Sequence, residues 1–451
     1  MGSYISKRGF TFDYVNAFHL EKEKLKEKLI NNDILSVVIP TTLYVSADPI
    51  IEIVKFIKCY NSKVKIIIGG PFILNHTFHV DEDSELSLIF KNIGADFYVC
   101  SSEGEMALVN VLNGLKYGYD ISNIKNIVYK EGGKYLKTII EKEDNCLKEN
   151  KIDWQSFNKE NIGDILSIRT AKSCPFSCSF CWFPQRAGKY KFLSVDDVEQ
   201  QFNEIKDIGS VTTLNIIDDT FNVPPDRFKE ILKMMIKNKY NFKWNSYFRC
   251  QYADRETIEL MKESGCEGVY LGIESASNKI FKNMNKNAKK EDYIKGIELL
   301  NEYEIINHAS FIIGFPGETD ETVLETIDFI EESKPTFFRT QLWYCDHITP
   351  ICKQKDKYGI LGSGFQWAHD TMDVERACEW IDYIFTSVKN SNWLPQNSFD
   401  YFSIYYLQRR GMKKEQVIES SKLFNELVKN KMNRQGNYEE LIGKLRKTCE
   451  F

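Results

Sequence analysis

Between residues 165 and 343, short runs of β-branched and aromatic residues alternate with longer stretches whose apolar residues recur at helical spacing. The runs are 165–170, 213–218, 244–249, 268–273, 306–314 and 337–343, and the stretches between them are 195–208, 226–236, 255–263, 290–303 and 320–332. Strands that alternate with amphipathic helices pair in parallel, because each helix carries the chain back across the sheet before the next strand starts. The pattern therefore predicts an α/β fold, a partial (β/α)6 barrel. In barrels of this kind chemistry gathers at the carboxyl ends of the strands, so those positions are read first for function.

The 451 residues are 43% hydrophobic and 27% charged, the composition of a globular chain. Lys and Arg total 59 against 64 Asp and Glu, for a net charge of −5. Such a balance supplies no broad cationic surface, and nucleic acid is not an expected partner. The longest nearly uncharged apolar stretch, residues 34–47, is too short for a bilayer and is broken by Pro40. The first residues lack the apolar core of a secretory signal, so a cytoplasmic protein with no membrane partner is expected. Twelve cysteines in a reducing compartment are not a disulfide framework, and a close cluster among them reads as metal-binding or catalytic.

Cys174, Cys178 and Cys181 form that cluster, Cys-x3-Cys-x2-Cys, directly after the first strand run. A tetrahedral zinc site wants four ligands, and the nearest cysteine downstream is Cys250. Three thiolates suit an iron–sulfur cluster with one iron left open to an outside ligand. With Phe180 just before the third cysteine, the segment resembles the signature of the radical S-adenosylmethionine (radical SAM) superfamily. The resemblance implies a 4Fe-4S cluster on the three thiolates, SAM chelating the fourth iron, and one-electron cleavage of SAM with the electron from a flavodoxin- or ferredoxin-like donor.

Four later strand ends look like motifs of the same family. By the resemblance, Asp218 or Asp219 meets SAM's amino group, Arg249 its carboxylate, and Glu274 the ribose hydroxyls. Gly314, in Ile313-Gly-Phe-Pro-Gly-Glu-Thr319, borders the adenine.

Residues 1–110 look like the later part of a cobalamin-binding domain, a Rossmann-like α/β layer with strands at 34–40, 64–69 and 95–99. The Asp-x-His-x-x-Gly loop of that domain is missing. We read a truncated or repurposed layer, and cobalamin is not expected. Residues 111–164 read as a connector with a small hairpin at 126–129 and 135–139, residues 165–343 as the barrel, and 344–451 as a substrate-side and helical region.

The segment after the sixth strand resembles that of proteusin-type peptide epimerases and phosphinate P-methyltransferases. Methyl transfer in such relatives needs cobalamin as carrier, whereas epimerisation needs only a hydrogen donor, and a thiol suits that task. The expectation is thus a radical SAM epimerase acting on a ribosomally made precursor peptide, with Cys345 the first candidate donor and Cys378 and Cys352 the next. A cobalamin-dependent C- or P-methyltransferase is the alternative enzyme, and a cluster-bearing binding protein the non-enzymatic one.

Overall fold

Residue alternation decides the first sheet. In the computed structural model, which describes residues 1–79, 83–394, 401–434, 436 and 438–450, the chain divides into units Met1–Ser156 and Phe157–Phe451. The first unit holds β1 (Ser36–Pro40), β2 (Lys65–Gly69), β3 (Phe97–Val99), β4 (Ile127–Glu131) and β5 (Lys134–Lys137), side by side in that order. Strands β1 to β3 are parallel, and the hairpin β4–β5 adds antiparallel to the same sheet. Both faces of β2 are covered. Ile66 and Ile68 pack on Ile50, Ile53 and Ile57 of the helix Asp48–Tyr60, while Ile67 points the other way, toward Leu108 and Val111 of the helix Glu105–Tyr117. A run of three isoleucines is therefore what a strand buried on both sides requires.

The second unit contains β6 (Ile165–Ile168), β7 (Ala171–Lys172), β8 (Lys191–Phe192), β9 (Thr213–Ile216), β10 (Lys243–Tyr247) and β11 (Cys266–Glu274). It continues with β12 (Ile306–Ile313), β13 (Phe337–Leu342), β14 (Leu361–Ser363), β15 (Gln366–His369), β16 (Met372–Asp373) and β17 (Asn392–Trp393). The main sheet runs β17-β13-β12-β11-β10-β9-β6, all parallel. Six of its strands fall where the sequence pattern places them. The seventh, β17, is two residues paired with Phe337 and Phe338 and leaves no periodic signal. Among the described residues β6 and β17 are not paired with each other, so the row stays open.

Between the strands run the helices Val195–Ile208, Pro225–Lys237, Arg255–Glu263, Lys290–Glu302 and Asp320–Ser333. Their starts are written in the sequence: Ser194 accepts the N–H of Asp197, and Asp254 that of Thr257, each satisfying a donor the first turn leaves orphaned. Strand β11 shows how the two faces divide. Val269, Leu271 and Ile273 are fully buried under the helices, whereas Tyr270, Gly272 and Glu274 remain partly open on the concave side. Near the amino end, Tyr401 and Tyr405 of the helix Tyr401–Arg409 pack against Ile306 and Phe337. A Cβ at Gly268 would collide with the Tyr405 hydroxyl, so this position in the strand has to be glycine. The helices Lys414–Met432 and Tyr438–Thr448 follow. No helix among the described residues is long and apolar enough to cross a membrane.

Candidate active site

The cysteine loop is held inside a two-stranded ribbon. β7 and β8 pair antiparallel, and residues 173–190 between them carry Cys174, Cys178 and Cys181. Ser173 enters the loop at φ 68°, with its hydroxyl donating to the Gly188 carbonyl at 2.8 Å. Ser179 is clamped from two sides. Its N–H donates to the Met284 carbonyl at 2.8 Å and its hydroxyl to the Asn283 carbonyl at 2.7 Å, while its own carbonyl accepts the N–H of Ile351 at 2.8 Å. The Asn285 amide donates to the Ser177 carbonyl at 2.8 Å. A loop tied this way holds its thiols in position before any ligand arrives.

The three thiols lie within electrostatic reach of one another. Burial pushes Cys181 up to about 11, and Cys178, Cys174 and Asp219 add to the shift. Cys174 Sγ is 3.4 Å from the Thr220 hydroxyl. An all-thiol set of three is the donor chemistry of an iron–sulfur cluster. A cubane bonds each thiolate to its own iron and so needs no single point of convergence; among the described residues no three His, Cys, Asp or Glu side chains offer one.

The two neighbouring carboxylates after β9 have separate fates. Asp218 is fully buried and fully occupied: Oδ1 accepts the N–H groups of Thr170 at 2.6 Å and Ala171 at 2.9 Å, and Oδ2 accepts the Thr170 hydroxyl at 2.5 Å. It ties the end of β9 to the chain entering the cysteine loop, which removes it as a candidate for SAM's amino group. Asp219 lies at the surface instead. It reaches solvent, yet protein crowds around it; that desolvation, reinforced by Asp218, raises its carboxyl to about 7. It is also close enough to Cys181 to act on that thiol.

Arg249 lies two residues past β10, where the Asn222 side chain bonds both its backbone N–H at 3.0 Å and its carbonyl at 2.9 Å. Its guanidinium stacks on Phe176 of the cysteine loop, 3.6 Å from the ring centroid, and Nε donates to Gln251 at 3.3 Å. Glu274 ends β11 at φ 73°, just after a register shift against β12. Facing it at 3.8 Å is the ammonium of Lys286, which also donates to the Gly272 carbonyl and lies 6.0 Å from the Phe180 ring. Burial pushes the Glu274 carboxyl up and the Lys286 ammonium down, and each partner's charge holds the other back; Arg339 and Arg249 also act on Glu274, and Cys178 and Cys174 on Lys286. One buried cation thus faces both Glu274 and the cysteine loop.

Phe180 packs edge-on to Phe315, centroids 6.4 Å apart, which brings the loop against the Gly314 segment. Gly314 sits at φ 86°, and a Cβ there would run into the Trp367 indole. Its N–H donates to Glu318 Oε2 at 2.5 Å, and its carbonyl is 3.2 Å from His369 Nε2. Glu318 is buried with Oε1 unpartnered, and burial raises it to about 8.

Sequence reasoning missed Lys286, Ser179 and Arg339. Arg339 is held by neutral partners, the Tyr270 hydroxyl at 2.7 Å and the Gln341 amide oxygen at 2.7 Å. It lies on the concave side with Tyr270 and burial-lowered His308.

The candidate hydrogen donors lie elsewhere. Cys345 is buried with Sγ 3.7 Å from Cys352 Sγ and 3.8 Å from the Gly362 carbonyl, so both thiols turn toward each other instead of toward the cysteine loop. Cys378 is exposed on the helix Val374–Ser387.

Residues 168–330 match the model of the Radical SAM superfamily. An uncharacterized methyltransferase of Pyrococcus horikoshii is 27% identical over 312 residues, 68% of this chain and 65% of that protein, so the match falls just short of two thirds of the relative's length. Other similar proteins are named as methylthiotransferases. Among solved structures, the radical S-adenosylmethionine methyltransferase TsrM from Kitasatospora setae, with cobalamin and a 4Fe-4S cluster bound, has a TM-score of 0.61 at 17% identity over 77% of this chain and 72% of that one. The cobalamin-dependent S-adenosylmethionine radical enzyme OxsB, with aqua-cobalamin bound, gives 0.60 at 16% over 90% and 65%.

These likenesses overturn two expectations. The Pyrococcus relative, the methylthiotransferases and TsrM are named for methyl or methylthio transfer, so peptide epimerisation, with Cys345, Cys352 or Cys378 as hydrogen donor, is withdrawn. The expectation against cobalamin, drawn from a missing first βα unit and its Asp-x-His-x-x-Gly loop, loses its support, because the fold of two proteins solved with cobalamin covers 77% and 90% of this chain. Cysteine loop, parallel strands and family match agree that residues 168–330 form a radical SAM domain, a domain type that implies a 4Fe-4S cluster and SAM.

Proposed function

We propose that the chain is a cobalamin-dependent radical SAM methyltransferase. The observation that carries this reading is the methyltransferase relative matched over 68% of the chain, joined to likeness with two structures solved with cobalamin bound. Cys174, Cys178 and Cys181 would hold the cluster. Asp219 accepts hydrogen bonds from SAM's ammonium, and Arg249, whose terminal nitrogens bond no described residue, forks onto its carboxylate. Glu274, steadied by Lys286, accepts from the ribose hydroxyls. Phe180, Phe315 and the backbone at Gly314 wall the adenine.

The first unit offers loops suited to a corrinoid at the carboxyl ends of its parallel strands, the position where open α/β sheets take ligands. Leu43 and Val45 are 89% and 97% exposed there, an apolar lip with no protein against it. Gly70 at φ 111° leaves no room for a Cβ, which would come 2.9 Å from the Thr41 nitrogen. Residues 41–46, 69–71 and 101–104 would hold the group. When bound, cobalamin supplies a carrier that accepts a methyl group from SAM and gives it to an unactivated atom.

On the concave side, Arg339 presents a cation that no carboxylate among the described residues contacts, and an acceptor bearing an anionic group would complete it. A flavodoxin- or ferredoxin-like protein would deliver electrons. The test is anaerobic reconstitution of the full chain with iron, sulfide and hydroxocobalamin, followed by turnover with SAM carrying a deuterated methyl group. Co-elution of stoichiometric cobalamin and transfer of the labelled methyl, without sulfur, are expected. A chain that retains cluster and SAM but no cobalamin sinks the reading.

A further inference from the structure

Cys345 and Cys352 form a pair that the proposed reaction does not use. Their sulfurs are 3.7 Å apart, and both line a recess of about 250 Å³ with His347, Lys355 and Gly362. The recess opens outward: His347 and Lys355 are exposed, whereas Cys345 is only 2% and Cys352 8% exposed. The segment between the cysteines is also wired to the cluster loop. Ile351, adjacent to Cys352, is buried, and its N–H is the group bonded to the Ser179 carbonyl between Cys178 and Cys181.

We infer that Cys345 and Cys352 are a redox-responsive dithiol, oxidised by low-molecular-weight disulfides that enter this recess, and that closing the bond alters the cluster loop through Ile351 and Ser179. The steps balance as ordinary thiol–disulfide exchange. Cys352, the more accessible thiol, attacks the small disulfide as thiolate, forming a mixed disulfide and releasing one small thiol. Cys345 then gives up its proton, attacks Cys352 Sγ and expels the second small thiol. Two protein thiols become one disulfide while one small disulfide becomes two thiols.

The neighbourhood fits each step. Lys355 puts a positive charge at the mouth, favouring an anionic disulfide such as oxidised glutathione. Burial, and after it the neighbouring Cys352 sulfur, pushes the Cys345 thiol up to about 12. The more accessible Cys352 therefore meets the small disulfide first, and Cys345 resolves. The sulfurs then need only local closure to reach bonding distance.

The dithiol stands on its own geometry; its coupling to the cluster rests on the cluster assignment above, and the two are read separately. The cluster-loaded full chain is treated anaerobically with oxidised glutathione, alkylated, and digested with trypsin. Both cysteines fall on one fragment, residues 340–353. That fragment should change from doubly alkylated to unalkylated and two hydrogens lighter than the dithiol, and Cys352→Ser should prevent the change. Two thiols that stay alkylable while exposed Cys59 has reacted, or that each take up glutathione without linking, overturn the dithiol. For the coupling, the paramagnetic spectrum of the reduced cluster should change on oxidation, return with dithiothreitol, and stay constant in Cys352→Ser. An internal disulfide that leaves the spectrum untouched overturns the coupling.

Discussion

The Asp218 carboxylate accepts the Thr170 backbone N–H at 2.6 Å, one of three bonds that commit it to the fold while its neighbour Asp219 stays exposed. Asp218→Asn would turn an amide N–H toward donors that need an acceptor. Breaking a buried charged network of this kind costs on the order of 3–5 kcal/mol. Urea unfolding should show a loss of that size for Asp218→Asn and less than about 1 kcal/mol for Asp219→Asn. Equal losses would mean that both acids are structural.

Asp219 should show its role in the pH dependence of SAM binding. Its carboxyl is raised to about 7, and only the ionised form attracts an ammonium. Affinity should therefore be full above pH 8 and weaken as pH falls through 7. Equilibrium binding at pH 6 and pH 8.5 measures this. Asp219→Asn should bind roughly tenfold more weakly at the higher pH, with a flat profile. An unchanged slope in the variant would assign the effect to another group.

Glu318 makes a prediction of opposite sign for stability. Burial raises its carboxyl to about 8, so between its unfolded value and 8 the folded chain holds a proton that the unfolded chain releases. Its contribution to stability is complete at low pH and falls as pH rises through that window. Glu318→Gln mimics the protonated form and should flatten the decline. Denaturation midpoints at pH 5 and pH 9 should differ less in the variant than in the parent chain.

Lys286 sits where it can be read through the cluster. Lys286→Met keeps the bulk and removes the positive charge near Cys178 and Cys174. Reduction adds negative charge to the cluster, so losing the cation should lower the midpoint potential by tens of millivolts, since about 1 kcal/mol corresponds to ~40 mV for one electron. Lys286→Arg should recover part of the shift. A potential that does not move places the ammonium outside the cluster's field.

What the sequence disclosed was local. The strand at 306–313 ends in Phe311, Ile312 and Ile313 just before a Gly-Phe-Pro-Gly turn, and the helix after Ser194 begins with its own cap, so both are visible without tertiary information. The cysteine spacing was equally plain. Lys286 was not, because Asn-Lys-Asn after a short helix reads as a solvated turn, and only the packed fold buries it opposite Glu274. Asp218 and Asp219 are indistinguishable as letters; the backbone N–H groups of Thr170 and Ala171 decide between them. The reaction was misjudged because a thiol near the end of β13 is compatible with several chemistries, and its orientation toward Cys352 could not be read from its position.

The unlaced row of strands carries one more implication. Among the described residues no ladder of backbone bonds joins β6 to β17, and the unit keeps that flank unsealed. A closed ring would admit a reactant only end-on and limit it to what fits down the axis. A horseshoe can be loaded broadside, which frees an acceptor from having to be small and lets a bulky scaffold remain outside while one reactive atom is presented within.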